Sequence, residues 1–83
     1  MKGWMYILEC SDGSYYTGST NNLGLRIEQH HNGEGANHTK KRLPVKLLYF
    51  EEFHRIDKAF YREKQMNFIL AFSFKPISFA FVL

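Results

Sequence analysis

Trp4-Met5-Tyr6-Ile7-Leu8-Glu9-Cys10, Ser11-Asp12-Gly13-Ser14, Tyr15-Tyr16-Thr17-Gly18-Ser19: an aromatic and apolar run, a turn and a returning run predict a β-hairpin. Loop length decides which side chains share a face. A two-residue turn at Asp12-Gly13 pairs Ser11 with Ser14 and puts Tyr6 and Tyr16 on opposite faces. A three-residue loop, Ser11 to Gly13 with Gly13 in the left-handed region, pairs Cys10 with Ser14. Tyr6 then faces Gly18, Leu8 faces Tyr16, and both tyrosines point the same way. The longer loop is the expected one.

Outward from the hairpin, Asn21-Asn22 supplies an N-cap for a helix from about Leu23 to His31, which Asn32-Gly33 ends. Leu23, Arg26, Ile27 and His30 fall at i, i+3, i+4 and i+7, so Arg26 and His30 border the core. Residues 33–44 are polar, glycine-bearing and basic, ending at Pro44, and read as a loop. Val45 to Phe53 reads as a third strand, with Val45, Leu47, Tyr49 and Glu51 on one face. Asp57 is the expected cap of a second helix through Ala59, Phe60, Glu63, Met66, Asn67 and Leu70. Glu63 lies on its apolar side, where a carboxylate needs solvent, a partner or a metal.

Eighty-three residues correspond to one modest domain. Hydrophobic content of 45% and aromatic content of 17% argue against disorder. The lone cysteine, Cys10, suits a reducing cytoplasm and a buried apolar role. No secretory signal is expected, because Glu9, Ser11 and Asp12 interrupt the short apolar stretch after Lys2. A formal charge of +3, with Lys40, Lys41 and Arg42 adjacent and Lys46 nearby, is compatible with a polyanionic partner without demanding one. Residues 68–83 hold five phenylalanines of the chain's eight and break the pattern. Interrupted by Lys75-Pro76, they are too short and broken for a membrane span, and their composition leaves self-association open. The division expected is therefore 1–67 as the domain and 68–83 as an atypical apolar segment.

Taken together, these residues resemble the GIY-YIG nuclease superfamily, in its branch of small single-domain bacterial proteins of unassigned role. The likeness is carried by the run from Met5 to Gly18, by Thr20-Asn21-Asn22-Leu23, Arg26, Gln29-His30, Pro44-Val45-Lys46-Leu47, and by Ala59 followed by Arg62-Glu63-Lys64. Separated motifs agreeing in order and spacing make it specific. The first signature keeps only its tyrosine, Tyr6; the second becomes Tyr16-Thr17-Gly18 and keeps both ends. The resemblance implies an α+β fold, a three-stranded antiparallel sheet flanked by helices. It also implies a shared site for Tyr6 and Tyr16, Arg26 as the family arginine, His30 at a position held by histidine or tyrosine, and one divalent metal on Glu63. Ser19 stands where some relatives carry a lysine. Relatives usually continue past the glutamate helix with a lysine-rich stretch; here an altered reading frame near residue 67 and a real apolar extension both explain the tail.

The expected activity is metal-dependent hydrolysis of DNA phosphodiesters, in repair or processing and with selection for DNA structure. A non-catalytic nucleic-acid-binding module of the same fold is the alternative. Arg26 suits a non-bridging phosphate oxygen through its forked donors. Glu63 suits Mg²⁺ (or Mn²⁺), a hard cation that keeps waters. Tyr6 or His30 suits removal of the water proton, the resemblance leaning to Tyr6 acting with His30, and Lys40, Lys41, Arg42 and Lys46 suit phosphate contacts. Each residue also has an ordinary explanation: tyrosines pack, arginines snorkel, and histidines cap helix ends. Zinc on the four histidines lacks ligand spacing.

Overall fold

The computed structural model describes residues 1–71. Three strands, β1 (Gly3–Glu9), β2 (Tyr15–Thr20) and β3 (Lys46–Phe53), form an antiparallel sheet in the order β2-β1-β3. Helix α1 (Leu23–His31) and a short helix α2 (Asn37–Lys40) separate β2 from β3, and α3 (Ile56–Ala71) follows. The α+β sheet-and-helix architecture is the one expected.

The hairpin has the longer loop. Cys10 N–H donates to Ser14 O at 2.8 Å, and Gly13 N–H to Cys10 O at 3.0 Å. Gly13 sits at φ +84°, a conformation that glycine adopts without steric cost. Tyr6 pairs with Gly18 and Leu8 with Tyr16, so both tyrosines face one side.

β1 is central in the sheet and buried on both faces. Met5 and Ile7 pack with Met66 of α3, joined by Tyr15, Tyr49, Phe53, Ile69 and Leu70. Tyr6, Leu8 and Cys10 pack on the other face with Val45, Tyr16, Leu23, Ile27 and Leu47. The sheet is thus a middle layer between α1 and α3. Cys10 is a buried free thiol, as its composition suggested.

Three expectations are corrected. Strict alternation along β3 fails, because Ile7 pairs with Tyr49 while Leu8 pairs with Leu47, leaving Leu48 as the extra residue of a β-bulge. Val45 and Leu47 therefore belong to the α1 layer, whereas Tyr49 belongs to the α3 layer. Residues 33–44 contain helix α2, a single turn too short for periodicity to register. Lys40 N–H closes it on Ala36 O at 2.9 Å. Asp57 lies inside the first turn of α3 rather than before it. Its carboxylate takes the Arg55 guanidinium at 3.0 Å, and negative charge there suits the helix dipole.

Helix α3 passes residue 67 without a break and reaches Ala71. The expectations for residues 72–83, including association through the tail, lie outside the described residues. Among those described, no helix is long and apolar enough to cross a membrane.

Candidate active site

Asn22 caps α1 through its side chain, accepting from Leu25 N–H at 3.1 Å. The cap sets the helix phase, and Leu23 and Ile27 bury against the sheet. Arg26 and His30, on the same stripe, are then carried onto the face where β1 and β2 present Tyr6 and Tyr16.

The four side chains meet. The Tyr6 hydroxyl and His30 Nε2 are 2.8 Å apart in the interior. The Tyr6 and His30 rings stand edge to face at 5.6 Å, and the Tyr16 ring lies 5.4 Å from His30 and 6.5 Å from Tyr6. The Arg26 guanidinium adjoins both phenols and donates to Gln29 Oε1 at 3.1 Å. Tyr6 and His30 are 1% and 0% exposed, whereas Tyr16 and Arg26 are half-buried. The pair forms the rear of the site, with Tyr16 and Arg26 at its front.

Glu63 belongs to the α3 layer, on the other side of the sheet. Edge strand β2 brings it close: Ser19 Oγ donates to Glu63 Oε1 at 2.7 Å, and the carboxylate acts electrostatically on both phenols. One residue earlier Gly18 faces Tyr6. A Cβ there would come within 2.5 Å of Tyr6 Cζ, so the tyrosine occupies the space a side chain would need.

Burial shifts the rear pair apart. It pushes the Tyr6 phenol up to about 12, with Arg26 pulling the other way. Burial, then the charges of Arg26 and His31, lower His30 to about 4. At neutral pH the pair is phenol and imidazole. Tyr16 is also raised by burial.

The His30 shift predicts acid sensitivity. Below its ordinary value the unfolded chain binds a proton that folded His30 refuses, so stability falls as pH drops from about 6.5 towards 4. The loss across that window is on the order of 3 kcal/mol. Urea midpoints measured from pH 7 to 5 should fall in the parent and stay nearly level in His30→Gln. A parallel fall in both would discard the assignment. Asp12 adds a separate step: its hydrogen bonds from Ser14 and Arg42 hold it at about 2, so its contribution is lost between about 3.8 and 2.

The basic residues divide. Lys40, Lys41 and Lys46 are exposed. Arg42 is a brace, its Nε 2.9 Å from Asp12 Oδ2 and its Nη1 donating to His38 O at 2.9 Å. Arg62, beside Glu63 in sequence, is likewise engaged with Glu51 at 2.9 Å.

Sequence reasoning missed two neighbours of the site. Thr39 Oγ1 lies 2.8 Å from His30 Nδ1, and His38 stacks on Tyr16 at 6.0 Å. His38 Nε2 also meets Ser14 Oγ at 3.1 Å. Both residues sit on α2, and a threonine or histidine in a polar, glycine-flanked stretch carries no signal of its own.

Comparison with known proteins agrees with this fold. The model of the GIY-YIG catalytic domain matches residues 2–67. The chain is 52% identical over 56 residues to a UPF0213 protein of Streptococcus agalactiae, covering 68% of this chain and 64% of that one. It is 50% identical over 70 residues to a UPF0213 protein of Bacillus cereus, covering 80% and 72%. It thus spans under two thirds of the Streptococcus agalactiae protein. The solution structure of a UPF0213 protein from Bacillus halodurans is similar at TM-score 0.51 and 39% identity, covering 81% of this chain and 71% of that one. Matched by that domain model along most of its length, the chain belongs to the GIY-YIG family.

Proposed function

We propose that the chain is a metal-dependent endonuclease that hydrolyses phosphodiester bonds in DNA, selecting for DNA structure in repair or processing. The observation that carries this is the 2.8 Å Tyr6–His30 contact beside Arg26 and Tyr16, with Glu63 near both phenols.

Among the described residues, no three histidine, cysteine or acidic side chains cluster to make a metal cage. One half-buried carboxylate held by Ser19 fits a hard cation that keeps most of its waters, so Glu63 is the ligand for Mg²⁺ or Mn²⁺. Bound there, such an ion stabilises negative charge on the leaving oxygen.

The chain's own groups do the rest. Arg26 takes a non-bridging phosphate oxygen through its forked donors. Moving onto the phosphate, it uncovers the Tyr6 hydroxyl to a water. The water gives its proton to the Tyr6 oxygen as Tyr6 passes its own to His30 Nε2. Because the phenol relays the proton in one motion, its high pKa is no obstacle. The quantity that limits the step is His30 basicity, and an anionic phosphate nearby raises it. Exposed Lys40 and Lys41, on or next to α2, and Lys46 add phosphate contacts that weaken with salt.

Tyr6→Phe keeps the ring and deletes the relay. Single-turnover cleavage of branched, nicked, single-stranded and duplex DNA should require Mg²⁺, stop with chelator, and fall about a hundredfold or more in Tyr6→Phe. A folded protein that binds DNA without cutting any of these, with or without Mg²⁺, would replace this proposal with the non-catalytic binding module. The near-complete burial of Tyr6 and His30 is the observation that favours that second reading.

A further inference from the structure

We infer that Thr39 is a positioning residue that holds His30 as its Nδ1–H tautomer and so keeps Nε2 free to accept from Tyr6. The catalytic consequence rests on the nuclease proposal above; the tautomer does not.

The direction of each hydrogen bond follows from counting protons. The Thr39 hydroxyl has one, and it is directed at Ala36 O at 3.0 Å. Towards His30 Nδ1, 2.8 Å away, the Thr39 oxygen is therefore an acceptor, and Nδ1 must supply the hydrogen. Neutral imidazole carries a single N–H, so Nε2 holds a lone pair. The other end of the chain agrees independently. Arg26, the side chain besides His30 that hydrogen-bonds at the Tyr6 hydroxyl, has donors alone. The phenol proton can then go to Nε2, at 2.8 Å. The ordered line is Tyr6 O–H to His30 Nε2, His30 Nδ1–H to Thr39 Oγ1, and Thr39 O–H to Ala36 O. Reversing it would aim the phenol proton at a guanidinium. No described buried side-chain polar atom lacks a partner, as this line requires.

The surroundings hold the line in place. His30 and Thr39 are both 0% exposed, so water cannot substitute for the Thr39 oxygen. Gly35 lets the backbone close over the ring: a Cβ there would come within 2.7 Å of His30 Cε1. Free imidazole side chains prefer the Nε2–H form, so the fold selects the less common tautomer through the partner of the other nitrogen. With Nε2 protonated instead, Tyr6 would have no acceptor for its proton, and the relay from water would have no terminus.

Two-bond ¹H–¹⁵N correlation spectra of the full chain at pH 7 report the tautomer directly. Parent and Thr39→Ser should show Nδ1 protonated and Nε2 bare. Thr39→Val, which keeps the shape and removes the acceptor, should shift His30 towards the Nε2–H form. DNA cleavage should fall about ten- to a hundredfold in Thr39→Val and return to within about threefold of the parent in Thr39→Ser. A parent already protonated at Nε2, or a Thr39→Val spectrum like the parent's, overturns the inference. So does a shifted tautomer with undiminished cleavage. If Thr39→Val does not fold, the parent spectrum and Thr39→Ser still decide. If the parent cuts no DNA, the nuclease proposal fails while the spectra continue to test Thr39.

Discussion

Glu63→Ala is expected to abolish Mg²⁺-dependent DNA cleavage, by a factor of about a thousand or more, while leaving the protein folded. The size follows from what is removed. Charge stabilisation by a metal is worth several kcal/mol in a transition state, and each 1.36 kcal/mol is about tenfold in rate. Stability should change little, because Glu63 is half-buried on one side of α3 and surrenders a single hydrogen bond, from Ser19, worth about 1 kcal/mol. DNA affinity measured without metal should hold or rise, since a negative charge leaves the neighbourhood of the phosphate. Glu63→Asp retains a carboxylate one methylene further back and should lie between the two. Single-turnover rates across a Mg²⁺ titration give the check. Alanine and parent proteins cutting alike at every Mg²⁺ concentration would remove Glu63 as the ligand.

Gly18→Ala is the second large effect, and it acts on fold and chemistry together. The added methyl would meet Tyr6 Cζ at 2.5 Å and Cε1 at 3.0 Å. A flexible side chain could step aside, but Tyr6 is a fully packed ring on the central strand. Forcing an atom into such a core costs about 1–3 kcal/mol, which for a domain of this size lowers the melting temperature by about 5–20 °C. The displaced phenol no longer meets His30 Nε2, and a shift of about 1 Å in a reacting group costs on the order of a hundredfold in rate. Gly24→Ala is the matched control, because a Cβ there meets nothing within 4 Å. A thermal melt and a cleavage rate on the two variants suffice. Equal melting temperatures would show that Tyr6 does not fill the space beside Gly18.

The parts legible in the sequence were those where one local choice has a large consequence. Asp12-Gly13 admits two loop lengths, and the longer one alone puts Tyr6 and Tyr16 on one face. Asn22 and Asn32-Gly33 bracket α1, so its phase, and with it the inward turn of Arg26 and His30, follows from spacing. The bulge at Leu48 was not legible, because strand patterns mark faces by alternation and an inserted residue leaves apolar residues on both sides of the break. Thr39 escaped for a different reason. Its importance comes from a contact with His30 that is made only once α2 folds back across α1. Glu63 was visible as a carboxylate on an apolar helix face, but its bond from Ser19 on the edge strand is a property of sheet order, which no single segment contains.

Tyr6 lies on β1, the strand paired on both edges and covered on both faces. A residue so placed has no private mobility: freeing its backbone means separating the sheet and both layers at once. The Tyr6 phenol therefore belongs to the most slowly exchanging part of the molecule, unlike residues carried on loops. Heat, acid or protease will not first yield a folded but silent form with a loosened Tyr6. For this architecture Tyr6 keeps its seat for as long as the sheet stays folded, and a molecule that has lost that seat has lost its fold.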